Sequence, residues 1–65
     1  MPRKLRQLIA DLRAAGFVQQ PARGSHRKFI HPQGLVVILS GHREGEDAKP
    51  YQEKQVRTKI SQIQP

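Results

Sequence analysis

The stretch His26-Arg-Lys-Phe-Ile-His-Pro-Gln-Gly-Leu-Val-Val-Ile-Leu-Ser40 decides how this chain folds. His26 to His31 is rich enough in β-compatible residues to form a strand, and it stops at Pro32, which cannot donate to a ladder. Pro32-Gln-Gly34 makes the turn, and Leu35 to Ser40 returns as the next strand. That returning strand is nearly all β-branched residues or leucine, which predicts burial on more than one side.

Upstream, Leu5, Leu8, Ile9 and Leu12 follow the i, i+3, i+4, i+7 spacing of one helix face, which predicts a helix from about Arg3 to Ala15. Gly16 supplies a left-handed stop, and Phe17 just beyond it folds back onto the apolar stripe as in a Schellman motif. Phe17 to Gln20 reads as a short strand, and Pro21-Ala-Arg-Gly-Ser25 as a loop. Downstream, Gly41 to Pro50 is polar and glycine-containing and reads as a mobile loop. A second helix follows from Pro50, with Tyr51, Val56, Ile60 and Ile63 sharing its apolar face. The expected fold is α+β in the order α-β-β-β-α, a three-stranded antiparallel sheet with two helices on one face and a single domain over residues 1–65.

Twelve Lys and Arg against five Asp and Glu give a formal net charge of +7, so polyanions are the expected partners. The longest apolar run, Leu35 to Leu39, is far too short to span a bilayer, so no membrane association is expected. There is no cysteine, which removes disulfides and thiolate metal sites and fits a cytoplasmic setting. Ordering a residue costs roughly 1.5 kcal/mol, which a core this small barely offsets, so stability would draw on a partner or on self-association into a homo-oligomer.

Candidate chemistry lies at the junction of loop and strand, in Arg23-Gly-Ser-His-Arg-Lys28. A glycine there lets backbone approach a phosphate, and a histidine moves protons near neutral pH. Strand alternation puts His26, Lys28 and Ile30 on one face and Arg27, Phe29 and His31 on the other. If Phe29 faces the helices, His26 and Lys28 stand together on the open face, Ile30 is exposed, and Arg27 and His31 must escape at the edges of the core. RNA supplies its own nucleophile, a 2′-hydroxyl that attacks the adjacent phosphodiester once a base removes its proton. With an ordinary pKa of about 6.5, histidine suits the base role, and cations beside it disfavour its charged form. The same cations hold the phosphate and stabilise its developing charge. A lone histidine is nevertheless more often structural or merely exposed. His31 reads as a strand-end residue, and His42 lies in the loop. His42 with Glu44, Glu46 or Asp47 matches no recognised ligand spacing, so no metal is expected.

The order of features adds to this. A short amphipathic helix ending Ala15-Gly16-Phe17, then Arg23-Gly24-Ser25-His26, Phe29, His31-Pro32 and Gly34, then an apolar strand, resembles the HicA family of toxins. Asp47-Ala-Lys-Pro-Tyr-Gln-Glu-Lys-Gln-Val56 looks like the tail of one branch of that family. The resemblance implies a fold similar to double-stranded-RNA-binding domains, an endoribonuclease acting on messenger RNA without a cofactor, and neutralisation by a HicB-like antitoxin. It places the catalytic histidine at His26, presented by Gly24 and Ser25. It also implies that Lys4 on the basic helix face, with Arg23, Arg27 and Lys28, grips the RNA backbone without reading sequence. Departing from many relatives, Ser40-Gly41-His42 leads into a longer acidic loop. A non-catalytic RNA-binding module is the alternative; a basic structural protein explains the charge but not a histidine at this junction. Of three aromatic residues, Phe17 and Phe29 read as core, which leaves Tyr51 as the candidate for base stacking.

Overall fold

The computed structural model describes residues 3–21, 24, 26–41, 43 and 45–64. The elements run α1 (Leu5–Ala14), β1 (Val18–Gln20), β2 (His26–Ile30), β3 (Val36–Ser40) and α2 (Pro50–Ser61). This is the expected α+β order, with β2 central in an antiparallel β1-β2-β3 sheet. Both helices pack on one face of it. Leu5, Leu8, Ile9 and Leu12 of α1 and Val56 of α2 join Phe29, Val37 and Leu39 of the sheet in a single core.

The stop after α1 follows from its glycine. Gly16 has φ +102°, a region that L side chains rarely enter. Its N–H donates to the Arg13 carbonyl and the Phe17 N–H to the Leu12 carbonyl, the two bonds of a Schellman motif. The chain reverses there, and Phe17 is buried in the same core as Leu12. Each helix begins with the same device: the Lys4 N–H donates to Gln7 Oε1 and the Lys49 N–H to Gln52 Oε1.

Four expectations need correction. β3 is buried on one side only, since Val36 and Ile38 are 38% and 49% exposed while Val37 and Leu39 are buried. A three-stranded sheet with both helices on one face leaves the other face uncovered, so the unbroken apolar run does not mark a two-sided strand. Tyr51 does not share the buried face of α2. It is 57% exposed, and Gln52 takes the inner position at 2% exposure, because residues 52, 56 and 60 form the four-residue row that meets the core. His31 does not escape at the core's edge. It is buried, its ring centroid 5.1 Å from that of Phe17. Finally, residues 45–48 are held against the start of α1. The Leu5 N–H donates to the Glu46 carbonyl, the Ala48 N–H to the Arg3 carbonyl, and Lys4 forms an isolated antiparallel bridge with Asp47.

The same strap brings Leu5 against Gly41. A Cβ placed on Gly41 would overlap Leu5 Cδ1, and Leu5 is itself buried in the core. Gly41→Ala is therefore expected to destabilise the fold by about 1–3 kcal/mol through overpacking. Urea denaturation checks this; an unchanged midpoint would show that the contact relaxes freely.

Candidate functional site

Phe29 is buried against the helices, which settles the face assignment left conditional by the sequence. His26, Lys28 and Ile30 therefore point away from the helices, because successive side chains on a strand alternate. His26 is exposed and stands directly across from Ser40, the last residue of β3. Lys28, half-buried, lies across from Ile38 on one side and Gln20 on the other. The structure thus brings an open imidazole and an ammonium to one sheet face, two residues apart on one strand.

The other expected site residues fall in different places. Arg27 lies opposite Leu39 on the helix-facing side, half-buried, with its Nε closed off from solvent. It does not stand beside His26. Gly24 has φ +62°, and a Cβ there would meet nothing within 4 Å, so the chain at Gly24 faces open space. Arg23 and Ser25 lie outside the described residues, as do His42 and Glu44 of the weighed metal reading. Lys4 is engaged: its Nζ forms an ion pair with Asp47 at the strap that joins α1 to the 45–48 segment.

That strap determines which end of the sheet the basic start of α1 adjoins. Gly41 directly follows Ser40 and abuts Leu5, so the first turn of α1 lies next to the end of the ladder that carries His26. Arg6 is exposed there, with Nη1 3.9 Å from where a Cβ on Gly45 would stand. Arg43 is exposed in the same connection.

A cleft of about 220 Å³ opens elsewhere, in the helical layer, lined by Leu8, Val56 and Ile60 with Arg3, Asp11, Glu53 and Arg57. Its two cations are matched by two carboxylates, so it does not attract an anion as the sheet face does. Arg3 is hydrogen-bonded to Asp11, which together with the charges of Asp11 and Glu53 raises its pKa above an already high ordinary value. Among the described residues, no group of three or more His, Cys, Asp and Glu side chains is placed to hold a metal ion. No helix among them is long and apolar enough to cross a membrane.

Sequence reasoning missed two polar residues. His31 is held at both ring nitrogens: its Nδ1 accepts from the Gln33 N–H at 3.1 Å, and its Nε2 lies 3.2 Å from the Ala15 carbonyl. Gln52 donates from Nε2 to the Ser40 carbonyl at 2.9 Å. For Gln52 a signal was present, since it precedes Val56 and Ile60 by four and eight residues. For His31 none was, because its partner ring and acceptor come from the end of α1, sixteen residues away.

No curated protein matches the chain. A family model described as the HicA toxin of bacterial toxin-antitoxin pairs matches residues 5–64 of the 65, a span that takes in every helix and strand described above.

Proposed function

Because the chain belongs to the HicA toxin family of bacterial toxin-antitoxin pairs, we propose that it is an endoribonuclease acting on messenger RNA, with His26 as general base. The observation that carries this reading is the exposed His26 on the open face of the sheet, with Lys28 beside it and Gly24 facing open space ahead of it. His26 takes the proton from a ribose 2′-hydroxyl; that oxygen bonds to the adjacent phosphorus, the bond from phosphorus to the 5′-oxygen breaks, and the departing oxygen takes a proton from water. Lys28 stabilises the added charge on the phosphate, and Arg6 and Arg43 extend the positive field along the RNA. The products are a 2′,3′-cyclic phosphate and a 5′-hydroxyl. Analysis of the new ends tests the scheme. Cyclic phosphate ends on RNA, with the equivalent DNA left whole, support it; 5′-phosphate ends would point to a water nucleophile and sink it. RNA bound but intact would make the chain a binding module instead.

The same face supplies a place for the antitoxin. Val18, Ile30 and Val36 form one rung across the three strands, with Ile38 next to it beside Lys28. Val18 is 56% exposed, an apolar surface with no internal partner. A protein seated on that rung shares the sheet face that carries His26, and the chain's net charge of +7 favours an acidic one. Val36→Glu, at the end of the sheet away from His26, is expected to weaken binding of the cognate antitoxin at least about tenfold by burying a carboxylate against apolar groups. RNA cleavage should change less than about twofold, since Val36 lies outside the reacting site. Calorimetric titration reads the first, and unaltered affinity would remove the rung from the interface.

A further inference from the structure

We infer that Gln52 is a positioning residue for His26, acting through Ser40. This rests on the reading of His26 as the general base.

Gln52 is a polar side chain almost wholly enclosed by the core, and both ends of its amide are used. Oε1 accepts the Lys49 N–H at 2.9 Å, and Nε2 donates to the Ser40 carbonyl at 2.9 Å. The first bond caps α2. The second reaches from the helix to the residue that pairs with His26 in the β2–β3 ladder.

The location matters because this rung ends the ladder. Ser40 is the last residue of β3 and His26 the first of β2. Terminal rungs open at little cost, since only one neighbouring rung supports them. A general base, by contrast, has to be held to within about 0.5 Å of its working position, and a misplacement of about 1 Å costs about a hundredfold in rate. The bond from Gln52 ties this end of β3 to a helix that is itself fixed in the core through Val56. It supplies the terminal rung with the second support that a free strand end lacks. Sequence spacing agrees: with Lys49 as the cap and Gln52 three residues on, one amide serves the start of α2 and the end of β3 together.

The test compares the full chain with Gln52→Glu, Gln52→Met and His26→Ala on an unstructured messenger transcript, with amide hydrogen exchange measured in parallel. Gln52→Glu keeps the acceptor for Lys49 but faces the Ser40 carbonyl with an oxygen. Gln52→Met keeps length and volume, and stands in if the buried carboxylate prevents folding. Both are expected to lower kcat about tenfold or more with KM within about twofold, because RNA is still gripped while the base is misplaced. Exchange at Arg27 and Leu39, the last hydrogen-bonded pair before the terminal rung, should quicken while Phe29 and Val37 stay protected. A folded variant with unchanged kcat overturns the inference, as does a loss of protection spread evenly over the sheet, which marks a purely structural role. If the unaltered chain leaves RNA whole, or His26→Ala cleaves as well as it does, the reading of His26 fails instead. The exchange arm then decides whether Gln52 holds this end of the ladder: unchanged exchange at Arg27 and Leu39 overturns that, and local quickening sustains it.

Discussion

His26→Ala is expected to slow RNA cleavage by about 10²- to 10⁴-fold, the range that a positioned proton-transfer group contributes. His26 is exposed at the start of β2, so its removal deletes little packing, and the stability change should stay within about 0.5 kcal/mol. Both halves of this expectation are needed. A loss of cleavage with an intact thermal transition assigns chemistry to the imidazole, whereas cleavage persisting within about threefold would show that another group takes the proton. The effect is bounded from above as well. With one base worth about 3–5 kcal/mol and a few cations, the site makes a modest nuclease, and positioning of the RNA has to supply the rest.

The opposite outcome is expected at the other histidine of the same strand region. His31→Ala should cost about 2–4 kcal/mol, because it removes a buried ring packed on Phe17 and leaves the Ala15 carbonyl and the Gln33 N–H without their partners. In a domain of this size each kcal/mol moves the melting midpoint by about 4–8 °C, so the loss is easily read by calorimetry. His31→Phe separates the contributions. It keeps an aromatic contact with Phe17 but neither hydrogen bond, and should fall between the two. Where the His31 variants remain folded, the cleavage rate per folded molecule should match that of the unaltered chain, since His31 packs against the inner side of the turn and not on the open face. Equal stability of His31→Ala and the unaltered chain would contradict the role given to this ring.

Gly16 belongs to the same arrangement. A Cβ there would stand 3.2 Å from His31 Nε2, so the glycine that ends α1 also makes room for the ring that closes the β2–β3 turn. The Schellman stop was visible in Ala15-Gly16-Phe17, but the second reason for its glycine was not, because the ring arrives from a distant part of the chain.

The division between what was legible and what was not follows from the range of the forces involved. Helix periodicity at Leu5, Leu8, Ile9 and Leu12, the stop at Gly16, and the turn at Pro32-Gln-Gly34 depend on dihedral preferences and spacing within a few residues, so the amino-acid order alone determines the elements and their succession. It also pairs His26 with Lys28, since alternation along a strand is local. Which face of the sheet is covered depends on where two helices settle, and that is a competition among all apolar groups at once. Only the tertiary structure could therefore place Phe29 inward and His26 outward, leave Val36 and Ile38 in solvent, and enclose His31. A polar side chain enters the interior where its hydrogen-bond partners are already waiting, and those partners come from elsewhere in the fold.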